Sequence, residues 1–84
     1  MYEIVLSPPA ERELRRLPKE QATRIAVRLR ELQREPRPPG CRKLSGSSNT
    51  YRVRVGPLRI VYAIDDRGSR VRVVRIRQRS DAYR

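Results

Sequence analysis

Arginines recur at every second position in the latter part of the chain, and this spacing could bind a polyanion. Arg52 and Arg54 flank a valine, so both fall on one face of an extended strand, about 6–7 Å apart. If helices cover the opposite face, the arginines of neighbouring strands converge on a concave basic surface with a tyrosine at its rim. Such a surface can hold a phosphodiester backbone and stack a base. Its predicted members are Arg52, Arg54, Arg59, Arg75, Arg77, Arg79 and Tyr83.

The distribution of charge favours the same chemistry, although amphipathic strands in any basic protein show a similar spacing. The 84 residues include 21 Lys+Arg and 9 Asp+Glu, a net charge of +12. Residues 1–35 carry a net charge of +2, whereas residues 36–84 carry +10. Like charges concentrated in one half repel one another, so a polyanionic partner explains this half better than a solvated surface does. Nucleic acid is the first candidate partner, and an acidic protein is the second.

The composition excludes several kinds of site. The absence of histidine removes the usual general base and the commonest metal ligand. A single cysteine, Cys41, excludes an intramolecular disulfide and a cysteine-cluster zinc site. We therefore expect neither a metal nor another cofactor. The length predicts one domain over residues 1–84, and its core must consist of Leu, Ile, Val, Ala and Tyr, because Trp and Phe are absent.

Apolar runs in the sequence are short. The first six residues lack the apolar stretch of a secretory signal. The longest apolar run, residues 60–64, is far below the ~20 residues of a membrane-spanning helix. The expectation is a cytoplasmic protein with no membrane partner.

Two amphipathic helices are predicted in the first half, after a short strand over residues 2–6. Ser7 is a good N-cap for a helix over residues 8–17. A second helix begins at Lys19 and ends before Pro36. Because the two helices are joined so tightly, they should form an antiparallel hairpin. The apolar stripe of the second helix consists of Ala22, Ile25, Leu29 and Leu32.

The hydrophobic period changes to two after a breaker-rich loop over residues 35–49, in which Leu44 is the expected contact to the core. Tight turns join the strands that follow, which predicts an antiparallel meander. The alternation slips between Val73 and Val74, and this indicates either a β-bulge or burial on both faces. The predicted strands span residues 51–55, 58–64 and 70–77. The fold class is therefore α+β, in the order β-α-α-β-β-β, with the helical hairpin on one face of a twisted antiparallel sheet.

The whole chain resembles the RelE/ParE superfamily of toxin–antitoxin toxins, and in particular its RelE-like mRNA interferases. The resemblance rests on residues 51–56 (Tyr-Arg-Val-Arg-Val-Gly) and 58–66 (Leu-Arg-Ile-Val-Tyr-Ala-Ile-Asp-Asp). It continues in residues 77–84 (Arg-Gln-Arg-Ser-Asp-Ala-Tyr-Arg) and in the opening strand and the following residues 8–18 (Pro-Pro-Ala-Glu-Arg-Glu-Leu-Arg-Arg-Leu-Pro). The order of elements predicted above agrees with the fold of that superfamily.

The resemblance implies a ribosome-dependent endoribonuclease that cuts mRNA in the ribosomal A site. Its partners would be mRNA on the ribosome, with rRNA contacts, and a cognate acidic antitoxin that holds it inactive. The implied reaction needs no metal: a 2′-OH attacks the adjacent phosphate and leaves a 2′,3′-cyclic phosphate and a 5′-OH.

The resemblance also implies roles for individual residues. Arg52 and Arg54 fall where relatives use two basic strand residues, and Arg59 matches an arginine expected to contact the scissile phosphate. Arg77, or Arg79 two residues on, matches the basic residue expected to act on the leaving oxygen. Tyr83 matches a tyrosine that stacks on or orients the substrate. The catalytic set is Arg52, Arg54, Arg59, Arg77 and Tyr83, and further RNA contacts are expected from Arg42, Lys43, Arg75, Arg79 and Arg84.

The sequence departs from its relatives at the proton-transfer groups. Some relatives have Lys where this chain has Arg52 or Arg54, and an arginine is a poor proton acceptor because its pKa exceeds 12. Many have a histidine or another basic residue near Gln78. Tyr83, whose phenolate is favoured by the surrounding positive charge, is the remaining candidate for the general base.

Two alternatives to the ribonuclease remain open. A ParE-like toxin of the same fold would inhibit DNA gyrase, because a fold does not determine its target. A chain that lacks a Lys or His base could instead bind RNA or an antitoxin without catalysis.

Overall fold

The computed structural model describes residues 1–78, which form two helices packed on a five-stranded mixed sheet. The predicted α+β class is confirmed. The strand order is β1-β5-β4-β3-β2. No helix in this part of the chain is long and apolar enough to cross a membrane. The elements are β1 (Glu3–Leu6), α1 (Pro8–Arg16), α2 (Lys19–Arg34), β2 (Arg42–Lys43), β3 (Thr50–Val55), β4 (Leu58–Asp65) and β5 (Arg70–Gln78).

Helix α1 begins as its sequence predicts. The Ser7 side chain accepts a hydrogen bond from the Ala10 amide at 3.2 Å, and proline occupies the first helical positions, where an amide hydrogen has no partner to lose. Ala10 is fully buried, and Leu14 packs against the core from the same side of the helix. The cap and the apolar spacing together fix which face of α1 meets the sheet.

The core lies between the helices and one face of the sheet. Helix α2 buries the predicted stripe residues Ile25, Leu29 and Leu32, while Ala22 is half-buried. From the sheet, the buried hydrophobic side chains alternate along each strand, as expected where one face packs on the core. They are Val53, Leu58, Ile60, Tyr62, Ile64, Val71, Val73 and Ile76.

Two features of the sheet differ from the prediction. β1 pairs in parallel with β5, from Glu3 opposite Arg70 to Leu6 opposite Val73, so the sheet is mixed rather than antiparallel. The predicted loop over residues 35–49 contains β2, which pairs with β3 as the edge strand. Alternation within a strand carries no information on the direction of its neighbour, and a strand of two polar residues has no hydrophobic period to detect.

The slip in β5 is a β-bulge. Tyr62 pairs with Val73 and Val61 pairs with Arg75, so Val74 is the extra residue on β5. Beyond the bulge Ile60 pairs with Ile76, and both are buried. Of the two interpretations that the sequence left open, the structure therefore selects the bulge.

Prolines, rather than Leu44, anchor the connection between α2 and β3 to the core. Pro36 and Pro38 are buried and Cys41 packs against the core, whereas Leu44 is only half-buried. The Tyr62 hydroxyl donates a hydrogen bond of 2.7 Å to the Pro36 carbonyl. Burial raises the pKa of Tyr62 well above that of a free tyrosine, so this hydroxyl remains a donor throughout the ordinary pH range.

An ion pair joins this connection to the turn between β4 and β5. Arg37 donates to both carboxylate oxygens of Asp66, at 3.0 and 3.3 Å, and to the Tyr51 hydroxyl at 3.1 Å. The Tyr2 hydroxyl donates to Asp66 at 2.7 Å. Hydrogen bonds from Arg37 and Tyr2 hold the pKa of Asp66 below its usual value. The cluster thereby ties the start of the chain to two connections.

We expect Tyr62→Phe to lower the free energy of unfolding by about 1–3 kcal/mol, because the buried Pro36 carbonyl loses its donor. Urea denaturation measures the change. Tyr51→Phe is the matched control, since its hydroxyl bonds to an exposed arginine, and it should cost less than about 0.5 kcal/mol. Equal effects of the two substitutions would contradict this account of the buried hydroxyl.

The Asp66 cluster predicts a pH-dependent stability. Because the folded-state pKa of Asp66 is depressed, its contribution is present above the unfolded-state pKa of about 3.9 and is lost as pH falls through the folded-state value. Asp66→Asn should therefore lower Tm at pH 7, and the difference from wild type should vanish near pH 2. Circular dichroism melts measure both, with Glu35→Gln as an exposed carboxylate control. A difference that persists unchanged at low pH would refute the prediction.

Candidate nucleic-acid interface

Three arginines from adjacent strands form a row across the sheet. Arg59 on β4 is the direct cross-strand partner of Arg54 on β3 and of Arg77 on β5. Directly opposed residues project from the same face, with Cβ atoms about 4.5–5.5 Å apart. Leu58 and Ile60, on either side of Arg59, are buried core residues, so alternation assigns the row to the face opposite the helices.

A second row lies beside the first. Arg42 on β2 is opposite Arg52 on β3, and Arg52 is in turn opposite Val61 on β4. The two rows join residues that are far apart in sequence, and they bring together four of the five predicted catalytic residues. The surface is termed the arginine face, and its members are Arg42, Arg52, Arg54, Arg59 and Arg77.

The side chains of the arginine face differ in their exposure to solvent. Arg54 is exposed and Arg52 and Arg77 are half-buried, whereas Arg59 is only 1% exposed. A charge withdrawn from water interacts more strongly with a nearby anion than a solvated charge does. Like charges directly opposed across strands are destabilising, and a bound anion relieves that repulsion. In the described structure the surface of the row consists of Arg54 and the half-buried Arg77, with Arg59 covered between them.

The turn between β3 and β4 sets the register of the first row. Val55 pairs with Leu58, which leaves a two-residue turn of Gly56 and Pro57. Gly56 has a φ of 59°, and proline restricts the second position to negative φ, a combination that matches a type II′ turn. A Cβ at Gly56 would lie 2.8 Å from a guanidinium nitrogen of Arg24, but that exposed side chain can move aside, so it is the positive φ that requires glycine here.

Arg75 is held by an acidic residue of α1 rather than by the arginine face. Its Nε and a terminal nitrogen donate to Glu13 at 3.1 and 2.9 Å, and the Ile76 amide donates to the same carboxylate at 2.8 Å. Burial works to raise the pKa of Glu13. The hydrogen bonds from Arg75 and Ile76, with a contribution from the charge of Arg77, outweigh it, so the pKa lies below its usual value. Part of the charge of Arg75 is thus already balanced.

Two further basic residues fall differently from the sequence-based prediction. Lys43 pairs with Tyr51, which packs against the core, so the register places Lys43 on the face opposite that of Arg42. Arg72, which was not predicted as a site residue, is exposed and opposite Ala63, two residues beyond Val61 on the same face. The alternation of Arg72 with Val71 and Val73 was the signal that could have identified it.

The predicted tyrosine is not among the residues that the structure describes. Tyr83, Arg79 and Arg84 all lie outside residues 1–78. Tyr51 and Tyr62 belong to the helix side of the sheet, where their rings stack with centroids 6.1 Å apart. Neither of them belongs to the arginine face.

The chemistry available on the arginine face is that of the guanidinium group. It donates hydrogen bonds to phosphate oxygens and stabilises negative charge, but it offers no acceptor atom and so cannot take up a proton. Among residues 1–78, no three His, Cys, Asp or Glu side chains lie close enough together to hold a metal ion. The chemistry of the arginine face thus suits the binding of an anion such as a phosphate group, and none of its members can act as a proton acceptor.

Known structures share this fold over nearly the whole chain. The RelBE2 toxin–antitoxin complex of Mycobacterium tuberculosis contains a chain that is 28% identical, with a TM-score of 0.82 over 93% of this chain and 98% of that one. A chain of the intact E. coli RelBE toxin–antitoxin complex is 25% identical, with a TM-score of 0.82 and coverages of 93% and 96%. The isolated E. coli RelE toxin is 25% identical, with a TM-score of 0.83 and coverages of 99% and 92%.

The sequence itself matches a described family. No curated protein sequence is significantly similar to the chain. The model of the ParE toxin of the type II toxin–antitoxin system parDE matches residues 4–83. Together with the RelE structures, this match confirms the resemblance found in the sequence. The chain is a member of the ParE toxin family, and hence a type II toxin of the RelE/ParE superfamily.

Proposed function

We propose that this toxin is a ribosome-dependent endoribonuclease that cleaves mRNA in the ribosomal A site. The observation that carries the proposal is the row of Arg54, Arg59 and Arg77 across three hydrogen-bonded strands. A single-stranded RNA backbone laid across this row would meet Arg54 and Arg77 at the surface, and a phosphate between them would reach Arg59 once that buried side chain is uncovered. The likeness to RelE chains at 25–28% identity supports the same conclusion.

The proposed reaction is an internal transfer at phosphorus. The 2′-OH loses its proton to a base, and its oxygen forms a bond to the adjacent phosphorus. The P–O5′ bond breaks, and O5′ takes up a proton. The products are a 2′,3′-cyclic phosphate and a 5′-OH, so no water is consumed. The negative charge on the non-bridging oxygens rises in the transition state, and fixed guanidinium groups stabilise that charge without needing a metal ion.

The geometry of the row suggests how the roles are divided. Arg59, at the centre and withdrawn from water, would donate to the non-bridging oxygens of the scissile phosphate. Arg54 and Arg77 lie on opposite sides of it, so one flanks the attacking side and the other the leaving side. We assign Arg77 to the leaving oxygen. Arg52 and Arg42, in the second row, would hold neighbouring phosphates and the RNA path.

The general base is the remaining assignment. The arginine face supplies no proton acceptor, because every member of it is a guanidinium group. We assign the base to Tyr83, which is outside the described residues, because the positive charge of the strands would lower the pKa of a phenol brought beside them. Arg79 and Arg84, in the same segment, are proposed as further RNA contacts, whereas Lys43, on the face opposite that of Arg42, is not.

A cognate antitoxin is the second proposed partner. The RelB–RelE and RelBE complexes show that relatives of this fold associate with an antitoxin. For this chain, the charge of +12 implies an acidic partner segment that covers the arginine face and so blocks access of RNA. Because mRNA and ribosomes are the proposed substrate, the proposed compartment is the cytoplasm.

Inhibition of DNA gyrase is the second candidate function. It is favoured by one observation, namely that the family model matching residues 4–83 is that of ParE toxins. The row of arginines would then bind an acidic surface or DNA rather than a scissile RNA phosphate. Growth arrest with DNA damage and unbroken mRNA would identify this function.

Primer extension on mRNA engaged by 70S ribosomes tests the ribonuclease directly. We expect purified wild-type protein to produce cuts only in the presence of ribosomes. Arg59→Ala should lower the cleavage rate by about 100- to 1,000-fold, the typical cost of removing one donor to a transition-state oxyanion. Arg30→Ala, which removes the same charge from an exposed position on α2, should cleave as wild type does.

Since Arg59 is buried, circular dichroism must show that Arg59→Ala is folded, and Arg77→Ala provides a second, half-buried test of the row. No cleavage by wild-type protein that still arrests growth would favour gyrase inhibition. Ribosome binding with neither cleavage nor arrest would identify a non-catalytic binding protein. Full activity of both variants would reject the arginine face as the site.

The salt dependence of RNA binding provides an independent prediction. Each phosphate contact contributes to the slope of log K against log salt, at about 0.7 per contact for single strands. Arg54→Ala should therefore weaken binding of a single-stranded RNA oligonucleotide and reduce this slope by roughly that amount. Fluorescence anisotropy between low and moderate salt measures both. If Arg30→Ala changes the slope equally, binding depends on net charge and not on the arginine face.

A further inference from the structure

The position of Arg77 depends on the bulge in β5. Val71 and Val73 face the core, and strict alternation from them would turn Arg75 and Arg77 toward the core as well. The extra residue, Val74, shifts the alternation by one position, so that Ile76 is buried and Arg77 is opposite Arg59. Without the bulge, the arginine face would lose one end of its central row.

Within residues 1–78, the bulge lies where β5 has no strand neighbour on one side. β1 covers β5 only from Arg70 to Val73, and the chain then leaves the sheet and enters α1. At that point the Ser7 amide donates to the Val73 carbonyl at 2.9 Å, and the Ser7 hydroxyl donates to the Val74 carbonyl at 2.7 Å. The carbonyl of the bulged residue is therefore bound by the N-cap of α1.

Glu13 binds the other side of the bulge. One of its oxygens accepts from the Ile76 amide at 2.8 Å, and the other accepts from Arg75 at 2.9 Å. The carboxylate thus occupies the place of a missing strand neighbour, and it is 22% exposed. It also draws the side chain of Arg75 to the edge of the sheet. Ser7 and Glu13 are six residues apart on α1 and its cap, and between them they bind both sides of Val74.

We propose that Glu13 is a positioning residue for the arginine face, acting with Ser7 through the Val74 bulge. It fixes which residues of β5 face the core beyond Val74 and thereby holds Arg77 beside Arg59. Neither Ser7 nor Glu13 is a member of the arginine face, so the effect on catalysis is indirect. The catalytic part of this inference rests on the proposed ribonuclease function, whereas the structural part does not.

The first experiment tests the effect of Glu13 on the backbone at the bulge and does not depend on activity. In NMR spectra of the full chain, Glu13→Ala should accelerate exchange of the Ile76 amide by about tenfold and shift the Arg77 Nε–H resonance. Glu11→Ala is the matched control, because it removes an exposed carboxylate from the same helix. Unchanged Ile76 exchange and an unmoved Arg77 resonance in Glu13→Ala would overturn the proposal.

The second experiment separates positioning from a general loss of stability. On ribosome-bound mRNA, Glu13→Ala should lower kcat by about 10- to 100-fold, the usual effect of a small misplacement of a catalytic group, with little change in KM. Glu13→Gln keeps an oxygen for the Ile76 amide and should recover most of the loss. Glu11→Ala should match wild type. A wild-type kcat in folded Glu13→Ala would refute the positioning role.

Two complications, an unfolded Glu13→Ala variant and an inactive wild-type protein, still leave the proposal testable. If Glu13→Ala does not fold, Glu13→Asp replaces it, because its shorter side chain keeps the charge but falls short of the Ile76 amide. Wild-type exchange and kcat in Glu13→Asp would then overturn the proposal. If wild-type protein cleaves no RNA, the proposed function fails, and the NMR comparison alone decides whether Glu13 positions Arg77.

Discussion

The alternation of side chains along β-strands is the constraint on which both faces of this protein depend. On β4, Ile60 enters the core while Arg59 belongs to the arginine face, and a register shift of one residue would exchange them. Burying the aliphatic face under α1 and α2 makes that shift costly. Hydrophobic burial on the other side of the sheet therefore fixes the positions of the arginines, although their like charges repel one another.

Much of the fold could be predicted because it is local in the sequence. The cap at Ser7, the stripe of α2 and the hairpin at Gly56 each depend on residues within a few positions of one another. The parallel pairing of β1 with β5 could not be predicted in this way, because it joins residues about 67 apart and leaves no periodic signal. β2 was missed because Arg42 and Lys43 carry no alternation of their own.

The candidate site shows the same division between local and distant information. Alternation was sufficient to place Arg52 and Arg54 on one face. It could not show that Arg59 is buried, or that Arg75 turns to Glu13, a residue 62 positions earlier. Sequence patterns report which face a side chain takes. They do not report which distant group balances the charge of a side chain, as Glu13 does for Arg75.

The edge of the sheet at β2 has a consequence for how copies of the protein behave toward one another. An edge strand exposes backbone donors and acceptors on which another chain can add, and this is a common route to aggregation. Here the edge strand β2 is only two residues long, and both residues are cationic. Two copies that met antiparallel along this edge would set like charges against each other, while their short strands could form few hydrogen bonds. The two cationic residues of β2 thereby disfavour the pairing of two copies along this strand.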